Sequence, residues 1–126
     1  VHELAICESI LTQVLSIAGV HDDSWVGRIC LKIGPLAGVE PHLLLRAFPL
    51  AAAGTKCEAA IVEIEEIAVQ VACRLCGAVS VAKSNRLLCG ECGTWQVSLV
   101  TGDELLLARV ELFEHSLDKN KEHTDV

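Results

Sequence analysis

Six residues of this chain have types and spacing suited to metal chemistry. Four are cysteines: Cys73-Arg74-Leu75-Cys76 and Cys89-Gly90-Glu91-Cys92, two C-x-x-C pairs separated by twelve residues and each followed by glycine, Gly77 and Gly93. A C-x-x-C turn lets both sulfurs point at one centre, and the glycine lets the chain pass beneath them with positive φ. Two such knuckles face to face give four thiolates in a tetrahedron, the arrangement zinc accepts in structural sites. With all four positions filled by protein, no coordination site is left for water or substrate, so Cys73, Cys76, Cys89 and Cys92 read as a structural zinc staple. A rubredoxin-like iron centre has the same sulfur geometry and stays open on spacing alone. A thioredoxin-like redox pair needs only one C-x-x-C, and disulfides suit an exported chain, which nothing here suggests.

The other two residues are His2 and Glu3. The α-amine of Val1, the backbone amides of His2 and Glu3, and the His2 imidazole offer four nitrogens within three residues. Ni(II) and Cu(II) displace amide protons and favour four nitrogens in a plane, which zinc seldom does. A solvated terminal histidine is the plainer alternative. The remaining candidates are weaker. Cys7 lies on an apolar stripe and reads as a buried small hydrophobe, while Cys30 and Cys57 are isolated by spacing. His21 and His42 fall at a turn and at a helix start. His115 and His123 lie in the polar tail, and Glu63, Glu65 and Glu66 read as a solvated strand edge. There is no Ser-His-Asp pattern, P-loop or dinucleotide motif, so an enzyme is not expected.

Composition narrows the classes. The chain has 126 residues, 52% of them hydrophobic, enough for one core plus a small module. Aromatics are only 3%, so aliphatic side chains must do the packing. Net charge is −7, which argues against nucleic-acid binding. Residues 71–100 run the other way, with Arg74, Lys83 and Arg86 against Glu91, too little for a nucleic-acid ribbon. No basic leader precedes the first apolar run and no stretch is long enough to span a membrane. Seven cysteines, with three left outside the quartet, suit a reducing cytoplasm.

These residues need elements to hold them. Leu4, Cys7, Leu11, Val14 and Ala18 recur at helical spacing over residues 4–18, widened by Ile10, Leu15 and Ile17, with Gly19 as a stop. His21-Asp22-Asp23-Ser24 is a turn. Trp25, Ile29, Leu31 and Ile33 then alternate with Val26, Arg28, Cys30 and Lys32, predicting a strand with the first set facing the core. Pro41 opens a second helix with Leu43, Leu44, Ala47 and Phe48 on its apolar side; Pro49 should kink it or end it near Phe48. Residues 59–68 alternate with Val62 and Ile64 inward. Short strands at Val69-Gln70-Val71 and Gln96-Val97-Ser98 carry the knuckles, and Leu105 to Phe113 is a last strand with Leu106, Ala108, Val110 and Leu112 on one face. The expected fold is α+β: a small three-stranded sheet covered by two helices, with an inserted zinc-ribbon-like module. Residues 1–69 plus 99–114 form the main domain, 70–98 the metal module, and 115–126 a disordered tail.

The order of these motifs resembles a known family. A start of x-His-Glu before an amphipathic helix, then Ile33-Gly34-Pro35-Leu36-Ala37-Gly38-Val39-Glu40-Pro41, Gly54-Thr55, the paired knuckles and Gly102-Asp103-Glu104-Leu105 is similar to the HypA/HybF family of hydrogenase maturation factors. The likeness covers about residues 1–113. It implies a nickel metallochaperone that helps load [NiFe] hydrogenase, working with the GTPase HypB and the hydrogenase large-subunit precursor. Some relatives also serve urease, which adds urease maturation factors to the implied partners; neither nucleic acid nor a membrane is among them. The family binds nickel at its Met-His-Glu start, which carries over to the amine of Val1, the amide and imidazole of His2 and the amide of Glu3. Glu40, where the family commonly has an acidic residue, carries over as an auxiliary group only. Zinc is implied as a structural ion and nickel as transient cargo. Val1 stands where the family has methionine, and no histidine adjoins the knuckles, so cysteine-to-histidine exchange at zinc is not suggested. The rival reading is a zinc-ribbon module that binds protein or nucleic acid without nickel; an oxidoreductase using the C-x-x-C pairs is the third.

Overall fold

The computed structural model describes residues 2–19 and 24–114; Val1, the turn at 20–23 and the segment 115–126, with the expectations attached to them, lie outside the described residues. In chain order the elements are α1 (His2–Ala18), β1 (Ser24–Ile33), α2 (Pro41–Ala52), β2 (Ile61–Glu66), β3 (Gln70–Cys73), β4 (Val79–Val81), β5 (Val97–Thr101) and β6 (Leu105–Glu114). The strands form two three-stranded sheets, in the orders β2-β1-β6 and β4-β3-β5. The fold is α+β, made of two helices, a small sheet and a ribbon that carries the cysteines. Two compact units are distinguished: the described residues within Val1–Cys30, Glu40–Glu63 and Leu107–Val126, and those within Leu31–Val39 and Ile64–Leu106.

In the first unit α1 and α2 pack on each other. Cys7, Ile10, Leu11, Val14 and Ala18 are buried along α1, and Leu44, Phe48 and Ala52 along α2. Burying an aliphatic or phenyl side chain of this size stabilises the fold by about 1.5–3 kcal/mol. The Cys7 thiol donates to the Leu44 carbonyl at 3.4 Å, so it sits in the helix–helix contact as a small hydrophobe with a satisfied S–H. Leu43, expected on the apolar side of α2, is 47% exposed, because the buried stripe follows the spacing Leu44, Phe48, Ala52. Pro49 does not end the helix near Phe48; α2 runs on to Ala52. The carbonyl that loses its donor belongs to Leu45, on the exposed side of the helix. Beyond Ala52, Gly54 turns with φ +79°, and the Thr55 amide and hydroxyl both donate to the Ala52 carbonyl, at 3.0 and 2.7 Å. Gly54-Thr55 is the C-terminal stop of α2.

The strands depart from simple alternation. In β1, Ser24 and Val26 are buried at the start, then Ile29, Leu31 and Ile33, with Gly27 and Arg28 between them. The phase of burial slips by one residue there, and Trp25 is 41% exposed instead of facing the core. Gly27 is required at the slip, because the Phe113 ring occupies the space a Cβ would fill. In β6, Leu106 and Ala108 are exposed while Val110 and Leu112 are half-buried, so these four do not share one buried face. β2 follows expectation, with Val62 and Ile64 half-buried between exposed glutamates.

In the second unit β3 is the centre of the ribbon sheet. It pairs antiparallel with β4 through Val71↔Ser80 and with β5 through Val71↔Leu99 and Cys73↔Val97, with an irregularity between Gln70 and Val71. Val71 is fully buried. The motif segments around Gly34 and Gly102 meet here: Gly34 N–H donates to the Glu104 carbonyl at 2.8 Å and Leu36 N–H to that of Gly102 at 2.7 Å. A Cβ on Gly34 would run into the Gly102 backbone, so the two glycines make this approach possible.

Candidate metal centres

The four sulfurs of Cys73, Cys76, Cys89 and Cys92 lie within 4.8 Å of one another. Cys73 and Cys92 are 3.6 Å apart, as are Cys76 and Cys89. Zn–S bonds of about 2.3 Å in a tetrahedron put sulfurs about 3.8 Å apart, so this cluster needs almost no adjustment to hold the ion. Both knuckles are built alike. Gly77 N–H donates to the Cys73 carbonyl at 3.2 Å and Gly93 N–H to that of Cys89 at 3.0 Å, with φ of +77° and +76° at the glycines. In each, the first cysteine sulfur accepts two backbone N–H bonds. Leu75 and Cys76 both donate to Cys73 at 3.3 Å, and Glu91 and Cys92 donate to Cys89 at 3.3 and 3.4 Å.

Those bonds set the electrostatics. The Cys76 amide, followed by that of Leu75, brings the Cys73 thiol down to about 6. The Cys92 and Glu91 amides likewise lower Cys89. At Cys76 the Ala78 amide pulls down, but the thiols of Cys73 and Cys89 outweigh it and push Cys76 up to about 12. Cys92 is raised too: the Thr94 amide pulls it down, but the Cys73 thiol, burial and the Cys89 thiol together outweigh that pull. Four sulfurs this close do not all ionise by themselves; a divalent cation at their centre is what lets them. The donor set therefore fits zinc.

Two supports of this cluster carry no signal in the sequence. Ser80, on the unforeseen strand β4, accepts from Gly90 N–H at 2.8 Å and braces the second knuckle. Arg74 N–H donates to the Gln96 carbonyl at 2.9 Å, tying the first knuckle to the strand that leaves the second.

The N-terminal corner lies in the first unit. α1 begins at His2, two residues earlier than expected, and His2 is exposed. The first N–H groups of a helix have no intrahelical acceptor, so the amides of His2 and Glu3 lack one. Glu3 is 9% exposed, and its carboxylate accepts the Glu40 N–H at 3.2 Å. This bond holds the Glu3 carboxyl below its ordinary value. Glu40 is the N-cap of α2, with an exposed side chain that makes no capping bond. The structure thus brings Glu3 and Glu40 into contact. It does so through the Glu3 side chain, which spacing gave no reason to single out. Val1 lies outside the described residues.

The other candidates are scattered. Cys57 is fully buried, and burial pushes its thiol up. Cys30 is half-buried among Glu63 and Arg109, and His42 is exposed on α2. Glu63 and Glu65 pair with Arg28 at 2.9 Å and Lys32 at 3.7 Å. His21, His115 and His123 lie outside the described residues.

The HypA family, described as hydrogenase/urease nickel-incorporation metallochaperones, matches residues 1–112. A hydrogenase maturation factor HypA from Nitrosospira multiformis is 44% identical over 111 residues, covering 88% of this chain and 96% of that protein. One from Chlorobium limicola is 37% identical over 113 residues, covering 90% and 97%. The fold is also similar to the solution structure of the Ni metallochaperone HypA from Helicobacter pylori, with a TM-score of 0.65 at 21% identity over 89% of this chain and 97% of that one. A second solution structure, of a HypA protein, gives a TM-score of 0.69 at 22% identity over 89% and 96%. Matched by family from end to end of its described residues but the last two, and by relatives along nearly their whole length, this chain belongs to the HypA family of nickel metallochaperones for hydrogenase maturation.

Proposed function

We propose that this chain carries Ni(II) on its N-terminal segment and delivers it to a [NiFe] hydrogenase large-subunit precursor, while zinc held by Cys73, Cys76, Cys89 and Cys92 is structural. The observation that carries the nickel reading is the state of His2-Glu3. The imidazole is exposed, the two amides head a helix and so have no carbonyl acceptor within it, and the Glu3 carboxylate accepts the Glu40 N–H. The α-amine of Val1 would complete four nitrogens, and Glu40 is close enough to Glu3 to serve as an auxiliary group. Such a site is accessible and has no side-chain cage, which suits a cargo that must leave again. Zinc, by contrast, supplies folding energy to the ribbon, residues 70–98, which buries little else. The family's work supports HypB as partner, a cytoplasmic location and service to urease in addition to hydrogenase.

The two ions should be chemically separable, because thiolates suit zinc in a tetrahedron and amine, amide and imidazole nitrogens suit nickel in a plane. Nickel titrated into zinc-loaded protein is expected to bind once without freeing zinc. Recovery of about one zinc per nickel bound would instead make the knuckles the nickel site.

A further inference from the structure

The four thiols of the ribbon are not equivalent, and the difference has a chemical consequence. Cys73 and Cys89 are buried, at 6% and 3% exposure, and each sulfur is covered by two N–H donors of its own knuckle. Cys76 and Cys92 are exposed. The sulfur of each exposed cysteine lies 3.6 Å from that of a buried one of the opposite knuckle: Cys76 from Cys89, and Cys92 from Cys73. Reactivity toward oxidants follows thiolate character and access together, and zinc keeps all four sulfurs as thiolates without itself being redox-active.

We propose that Cys76 and Cys92 are sites of oxidative modification, and that a peroxide acting there closes disulfides across the knuckles, Cys76–Cys89 and Cys73–Cys92, and expels the metal. This rests on the reading of the quartet as a zinc site. The Cys76 thiolate attacks one peroxide oxygen, forming the S–O bond of a sulfenic acid while the O–O bond breaks and hydroxide leaves. The Cys89 thiolate then attacks that sulfur, the S–S bond forms, and a second hydroxide leaves. Two thiolates lose two electrons and one peroxide gains them. Cys92 and Cys73 repeat the sequence with a second peroxide, so two peroxides release one Zn2+ unchanged in oxidation state. Cross-knuckle closure is favoured over closure within a C-x-x-C. The two pairs across the knuckles are the ones already in contact, Cys76–Cys89 and Cys73–Cys92, each at 3.6 Å. Joining Cys76 to Cys89 asks the sulfurs to close from 3.6 Å to a bond of about 2.05 Å.

The sequence makes the linkages readable. Arg74 lies between Cys73 and Cys76, Lys83 and Arg86 between Cys76 and Cys89, and Glu91 between Cys89 and Cys92, so trypsin with a glutamate-specific protease puts each cysteine on its own peptide. The test begins with the full chain, its zinc content measured. Hydrogen peroxide is added in steps, freed zinc is followed with a chromogenic chelator, and linkages are mapped by mass spectrometry under non-reducing conditions. A dione probe traps sulfenic acids at early times. Expected are one zinc freed per two peroxides, early trapping at Cys76 and Cys92, linkages Cys76–Cys89 and Cys73–Cys92, and reversal by dithiothreitol with added zinc. The Cys30→Ser chain, which lacks the half-buried thiol outside the quartet, should behave the same. Retained zinc, early trapping at Cys73 or Cys89, or linkages within the knuckles would overturn the inference and leave the zinc site standing. A chain purified without zinc, and unable to take it up, would remove the zinc reading and this inference with it.

Discussion

Glu3 lies at the start of α1, where a carboxylate is favoured by the helix dipole, yet its larger task is to hold the Glu40 amide. Its carboxyl is held below the ordinary value of 4.5, first by that bond. A group with a depressed folded value adds stability above the unfolded value and loses it as pH falls through the folded one. Acidification below about pH 4.5 should therefore loosen the N-terminal corner, and Glu3→Gln should remove that part of the pH dependence; urea unfolding of both proteins between pH 3 and 6 reads it. Two glycines give a contrasting pair. Gly77 has φ +77° and open space where a Cβ would go, so Gly77→Ala should cost about 1–2 kcal/mol through backbone strain alone. Gly34→Ala would drive a methyl group into the Gly102 backbone, which has no rotamer to yield, and should destabilise by more, about 3 kcal/mol or above in thermal unfolding. Equal effects of the two changes would contradict this distinction between strain and collision.

The element that depends most on its ion is the ribbon of β3, β4 and β5 with its two knuckles. Cys73→Ser removes one thiolate and with it most of the metal's folding contribution, about 10 kcal/mol in small zinc domains. Amide exchange should accelerate across residues 70–101 while α1 and α2 keep their protection; unchanged protection with full zinc content would contradict the four-thiolate assignment. This element was the most legible in the sequence, because C-x-x-C-G twice over fixes both the cysteine cluster and the turns that present it. α1 was legible from its stripe; the end of α2 was not, because Pro49 pointed to a kink or a stop near Phe48 and the helix runs on to Ala52. Alternation failed where a strand changes phase. Nothing in Trp25-Val26-Gly27-Arg28 announces the change of burial phase that exposes Trp25, and the Phe113 ring that leaves room only for glycine at Gly27 comes from the far end of the sheet's sequence. Leu43 and Leu44 are equally apolar, and only packing against α1 decides that Leu44 is the buried one. Ser80 and the Glu3 side chain were invisible for the same cause: their partners, Gly90 and Glu40, are distant in sequence and unremarkable by type.

At the scale of the whole molecule, the residues proposed for nickel and the cysteine cluster fall in different units. His2, Glu3 and Glu40 belong to one, and the four cysteines to the other. The nickel reading requires deprotonation of the Val1 amine and ionisation of two amides, so nickel affinity should rise with pH. The most direct test is nickel affinity of the His2→Ala protein by calorimetry, with zinc content and circular dichroism recorded on the same sample. His2 is exposed, so fold and zinc should be unaltered. Nickel affinity should fall at least tenfold, and a few residues added before Val1, which turn its amine into an amide, should lower it as well. Undiminished affinity in both proteins would contradict the account and move the site away from the N-terminus.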